Sequence, residues 1–317
     1  MTLEEAKELK IEKKVEIELG FDPKNEQEYL EAVKRNPYNL RYIENQTEEL
    51  CIAAVKIRGL ALVYVKDQTP EICLEAVKEN GLALYFVKDQ TEEICRIAII
   101  QNVSSLEFVK NQTPELCLKA IKLDSTVLPK IRNQTPEICI EAVKQNGRTL
   151  QYVKEQTEEI CLEAVKENPR ALEFVENQTP KICLAAIKSD PRSLRFVKNQ
   201  TSEICLAAVK QSGRALRYVK NQTSEICLAA VKQSGRALRF VKNQTSEICL
   251  AAVKQNGKVL QYVKNQTEEI CLEAVKQEPW ALLFVKKQTP KICLTAFNKN
   301  PNVIVNIIDL TMIVDEK

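Results

Sequence analysis

The chain contains no histidine. That removes the side chain most used as a general base near neutral pH and the commonest metal ligand. No Cys-x-x-Cys pair is present either, so no zinc-type ligand set can be assembled from neighbouring residues. No glycine-rich loop of the phosphate-cradling kind and no convergent polar cluster is legible. These absences argue against an enzyme and against a bound cofactor. No apolar run approaches the roughly 20 residues that a membrane-spanning helix needs, so no membrane partner is expected. The opening MTLEEAKELKIEKK is densely charged, unlike a secretory signal. A cytoplasmic, reducing setting is the expectation.

What the chain does contain is a repeat. Gln-Thr recurs every 22 residues, from Gln46 through Gln68, Gln90 and onward to Gln288, without insertion. A fixed short period marks a solenoid whose units pack on their neighbours. The expected fold is therefore an all-α solenoid, or superhelix, of about thirteen 22-residue two-helix repeats. It is read as one elongated domain over 25–310, with an N-terminal cap at 1–24 and a C-terminal tail at 311–317. All twelve cysteines, Cys51 to Cys293, share one register. Helices pack roughly 8–10 Å apart, too far for the about 7 Å limit between disulfide Cα atoms. Buried, reduced thiols are expected.

One repeat, Thr223–Gln244, gives the local reading. Thr223 can accept an orphan N–H at a helix start. Ile226, Cys227, Ala230 and Val231 form an apolar stripe on a helix of about ten residues. The next junction is glycine in six repeats, such as Gly213 and Gly235, and proline in five, such as Pro169 and Pro191. Proline needs φ near −65°, so a left-handed glycine cap cannot be common to both. The preceding Asn, Asp or Ser is an N-cap type. A second helix of about seven residues is predicted to start there, with glycine or proline at its first position. Its aromatic place is Tyr or Phe in eleven of thirteen units; Lys130 and Asn306 are the exceptions. Neither helix would be stable alone.

Some units are irregular. Residues 25–44 lack both Gln-Thr and cysteine and read as a degenerate first repeat. The run VIVNIIDL in the last unit reads as a capping helix, with a sticky end as the alternative. Pro129 falls inside an expected helix, which predicts a kink or looser layer.

The phrases QTPEICLEAVKEN, EAVKQNGRTLQYVK and AAVKQSGRALRFVK resemble a family of α-helical repeats of unknown function, abundant in giant DNA viruses and found in protists and some bacteria. The resemblance covers roughly 25–300. It implies an interaction role and a viral or protist source, hence an infected host cell or a virion. It implies no catalytic residue.

Three motifs have competing readings. The NQT triplets are formally glycosylation acceptors, but the helix-capping reading is preferred, with the constant glutamine bonding loop carbonyls as a ladder between layers. The aromatic series could stack bases; core packing is preferred. Charge is uneven: residues 189–264 carry 14 Lys or Arg against 4 Asp or Glu, net +10, while the rest of the chain is −7. Within that stretch Arg192 and Arg195, Arg214 and Arg217, Arg236 and Arg239 sit at i, i+3. The first helices there carry Ala185, Ala207, Ala229 and Ala251 in place of a common glutamate. Either near-identical units were duplicated with their charge, or the ridge binds an acidic partner. The favoured expectation is a non-catalytic scaffold for protein partners. Nucleic-acid binding along the ridge and self-assembly as a structural or virion component are the alternatives.

Overall fold

The computed structural model describes residues 26–309. The expected N-terminal cap (1–24) and C-terminal tail (311–317) lie outside them. The chain forms two compact units, Met1–Ile160 and Cys161–Lys317, and the same repeat builds each. The described residues form 26 helices and no strand, an all-α solenoid of tandem units.

Each repeat opens on its threonine. Thr223 Oγ1 accepts the N–H of Ile226 at 3.3 Å, which satisfies one of the orphan donors of the helix Ser224–Gln233. Ile226, Cys227, Ala230 and Val231 are buried, so the predicted stripe is the packed face. The helix is only ten residues long; its stability comes from burying that stripe against the next repeat rather than from propensity.

The second helix is shorter and tighter than predicted. Gly235–Phe240 is a six-residue 3-10 helix, not a seven-residue α-helix. Its bonds run i to i+3, as in Ala237 N–H to Ser234 O at 2.8 Å and Val241 N–H to Leu238 O at 3.1 Å. A three-residue period stacks every third side chain in line. Gly235, Leu238 and Val241 therefore bury together, while Arg236 and Arg239 line up in solvent. The same period explains why Pro129 makes no kink. Ser125–Lys130 keeps its 3-10 form, because proline's φ suits it and Pro129 sits on the solvent row. Leu128 and Ile131 beside it stay fully buried.

Asn and Asp cap these helices as predicted; Asn80 Oδ1 accepts from Leu82 N at 3.0 Å. Ser212 and Ser234 do not, and form no side-chain cap bond; no structural feature explains their departure. The junction glycines Gly59, Gly81, Gly213, Gly235 and Gly257 avoid left-handed φ. Their role is close approach: a Cβ on Gly213 would meet the Ala230 carbonyl oxygen at 2.6 Å. Backbone contact leaves the Gly213 N–H to be satisfied by the Gln233 carboxamide of the next repeat, 2.7 Å away. Gly81 uses Gln101 in the same way, at 2.6 Å. Where the junction is proline there is no N–H to satisfy, and the residue twenty on is Ile57, Ser189, Gln211 or Lys299. Gln211 Nε2 still donates to the Lys188 carbonyl, as Gln101 Nε2 does to that of Glu79.

The constant glutamine is the inter-repeat tie. Gln46 Nε2 donates to Leu40 O at 2.9 Å and to Tyr64 O, in the next repeat, at 3.0 Å. Its Oε1 accepts from Lys66 N at 2.9 Å and faces Cys51 Sγ at 3.8 Å. Gln200, Gln222 and Gln266 in the second unit make the same bonds. A carboxamide with two donors and an acceptor oxygen can serve all these groups at once. All twelve cysteines are buried and none forms a disulfide. Burial raises the thiol pKa along the series, that of Cys51 to about 11, helped by the charges of Asp67 and Glu48.

Candidate interaction surface

The 3-10 helices carry the surface chemistry, because their three-residue period leaves two positions of each in solvent. In the second unit those positions hold Arg192 and Arg195 on Pro191–Phe196, Arg214 and Arg217 on Gly213–Tyr218, and Arg236 and Arg239 on Gly235–Phe240. All six are exposed. Leu194, Leu216 and Leu238 between them are fully buried, so each helix is anchored while its arginines project.

The six are not equivalent. Arg192 Nε donates to both Asp190 carboxylate oxygens, at 3.0 and 3.1 Å. Burial pushes the Asp190 carboxyl up, but bonds from Arg192 and the charges of Arg192 and Arg195 hold it below its ordinary range. Arg192 is thus partly neutralised. Arg195 lies over the Phe196 ring at 4.5 Å. Arg217 lies over Tyr218 at 5.3 Å and over Phe240, one repeat on, at 5.7 Å. Arg239 repeats this over Phe240 at 5.0 Å and Tyr262 at 6.0 Å. Arginine and aromatic ring therefore alternate along successive repeats, an arrangement favoured by cation–π attraction. Arg214, Arg236, Arg239 and Lys258 line one groove of about 310 Å³ together with Phe240 and Tyr262.

The aromatics correct one expectation. They are not core residues: Tyr42 and Tyr152 are 38% and 43% exposed, and Phe196, Tyr218, Phe240 and Tyr262 are half-buried. The sixth residue of the 3-10 helix follows the buried Ala237 at i+3 but ends its row, and sits half-buried at the rim of the core. Their neighbours Leu and Val suggested burial only because an α-helical period was assumed.

Two features escaped the sequence reading. The lysine that follows most of the 3-10 helices reaches back one repeat: Lys220 Nζ donates to Lys198 O, Lys242 to Lys220 O and Lys264 to Lys242 O, each at 3.0 Å. Its 22-residue recurrence was visible, but its acceptor is a backbone group. In the last two repeats three of the four arginine positions become apolar, Asn302 being the exception. Trp280 and Leu283 are 39% and 63% exposed, and Val305 is 77% exposed. Val303 in the run VIVNIIDL is buried, yet Val305 and Ile308 project outward, so that run does not wholly turn in as a cap; Leu310 lies outside the described residues.

Among the described residues no cluster of three or more metal-ligating side chains occurs, and no helix is long and apolar enough to cross a membrane. A family model described as Domain of unknown function (DUF4116) matches residues 69–113, 135–179, 157–200, 201–245, 223–267 and 245–289. Each match spans two consecutive repeats, and together they cover more than half of the chain. No curated protein and no solved structure gives a match.

Proposed function

The chain belongs to this family of repeats of unknown function, and on that premise we propose that it is a non-catalytic scaffold that binds an acidic protein partner along the arginine row of its second unit. The observation that carries the reading is the row itself: exposed arginines at constant register on three successive 3-10 helices. Five of them, Arg195, Arg214, Arg217, Arg236 and Arg239, have no carboxylate ion-pair partner among the described residues. Guanidinium groups suit carboxylates because their planar fork matches two oxygens. The buried thiols suit a reducing compartment, where they would remain unoxidised.

Nucleic acid would use the same charge but would also stack bases on exposed rings. Guanidinium groups already lie over Phe240 and Tyr262, which favours the protein reading. Changing all six arginines to glutamine should leave the helical circular-dichroism signal and the melting temperature nearly intact, because exposed charges contribute little to stability. Binding to the acidic partner should be lost, and wild-type binding should weaken steeply with salt. Retained binding by the variant would move the partner surface elsewhere. Light scattering that grows with concentration would favour self-assembly, and tighter salt-dependent retention on nucleic acid would favour that alternative.

A further inference from the structure

We infer that the 3-10 helices from Arg195 to Leu283 form a strip for one extended peptide with carboxylates about three residues apart and a bulky apolar side chain at one end. The inference rests on the acidic-partner reading and adds the shape and order of the partner.

The shape follows from spacing and volume. Repeats stack at roughly 8–10 Å, and a chain in the extended polyproline II form advances about 3.1 Å per residue with three residues per turn. Every third side chain of such a chain therefore meets the next repeat. The groove beside Arg236 and Arg239 holds about 310 Å³. An extended segment of a few residues fits such a groove. The arginines are ready for in-plane pairing. Arg217 and Arg239 each lie over two rings from successive repeats. The ring contacts occupy guanidinium faces and leave the N–H edges for carboxylates, with less side-chain freedom to lose on binding.

The order follows from how the two solvent positions change along the row. They are Arg214 and Arg217, then Arg236 and Arg239, then Lys258 and Gln261, then Trp280 and Leu283. Consecutive 3-10 helices of this unit pack on one another, so the row is continuous. Charge falls away and apolar surface replaces it at the same register. Isolated exposed apolar residues are ordinary. Trp280, Leu283 and Val305 instead recur at ridge positions of consecutive repeats, and a ligand of the complementary order covers both parts.

The test uses the full chain and four synthetic ligands. Two peptides carry glutamate at every third position among Gly and Ser, with one leucine at the N- or the C-terminus. The third has the same composition with its glutamates in one block and leucine in the middle, and the fourth is a single-stranded oligothymidine. Binding is read by fluorescence anisotropy, and the chain's single tryptophan, Trp280, reports the apolar end. One of the two spaced peptides should bind at least about tenfold tighter than the block peptide, the equivalent of one good charge-assisted contact, and should shift Trp280 emission to the blue. Leu283→Ser should erase the preference for that end without changing the helical signal. Equal binding of spaced and block peptides, both lost in the six-arginine variant, overturns this inference and leaves the acidic-partner reading standing. Unchanged Trp280 emission, or equal binding of the two orientations, also overturns it. Failure of every acidic peptide to bind, or binding indifferent to the six arginines, overturns both. Tighter binding of the oligothymidine assigns the strip to nucleic acid and overturns both.

Discussion

Residues 81–108 and 213–240 occupy the same places in the repeat, yet one slot in them holds opposite chemistry. Tyr85 packs edge-on against Phe86 at 5.1 Å and Phe108 at 5.2 Å. Arg217, its equivalent, lies over Tyr218 and Phe240. Elsewhere the slot holds Arg41 over Tyr42 and Tyr64. In one layer it holds Glu107, which pairs with Lys130 at 3.5 Å. Around the slot the frame is constant. Gln90 reaches Phe108 O and Gln222 reaches Phe240 O, both at 2.9 Å. Gly81 and Gly213 each give their N–H to the next repeat's glutamine. The carboxamide ties carry the stacking, so the rim residue needs only to touch two neighbours. That separation lets surface charge change from repeat to repeat while the fold stays the same.

The comparison can be broken most severely at the frame. Gln90→Leu and Gln222→Leu each strand a carbonyl of the neighbouring repeat and a lysine N–H. Each should cost about 2–4 kcal/mol, since an unsatisfied buried polar group costs about 1–3 kcal/mol. Urea unfolding checks this, and the two losses should agree; a large difference would mean that the regions do not share a frame. Next in size, Gly213→Ala should destabilise by about 1–3 kcal/mol through overpacking, because its Cβ would strike the Ala230 carbonyl. Pro191→Ala, at a junction that already accommodates a Cβ, should fall well short of that in the same assay.

The thiols of Cys51 and Cys227 differ in the causes of their shift. Burial raises both Cys51 and Cys227, and acidic neighbours raise Cys51 further, to about 11. A folded-state pKa above the unfolded one means that the contribution is intact below the ordinary thiol range and is lost as pH climbs through the folded value. Melting temperature should therefore hold to about pH 8.5, the ordinary thiol value, and fall above it. Cys51→Ala should flatten that alkaline fall more than Cys227→Ala. The smallest effect belongs to the slot. Tyr85→Arg or Arg217→Tyr should each change stability by less than about 1 kcal/mol, since ring–ring and cation–ring contacts are worth similar amounts. A loss as large as that of Gln222→Leu would make the slot part of the frame.

Period, capping threonine, apolar stripe and buried thiols were all legible, because each depends on local spacing that recurs along the chain. The junction was legible too: the exchange of glycine for proline excluded a left-handed cap. The reason for glycine at Gly213 was not, since the atom that forbids a Cβ belongs to Ala230 in the next repeat. The arginine positions could be listed, but not that Arg192 is held by Asp190 while Arg217 and Arg239 lie over rings.

By itself, then, the sequence determined the number and register of the layers, because a constant 22-residue repeat admits one packing of its apolar stripe. It determined equally which residues face solvent as arginines. Only the tertiary structure decided that the second helix is 3-10, with its first residue set against the alanine carbonyl of the next repeat and its bonds running i to i+3. That choice moved the aromatics from core to rim and set the arginines between them. The contacts responsible join residues about one repeat apart, and no local pattern records which atoms of neighbouring layers meet.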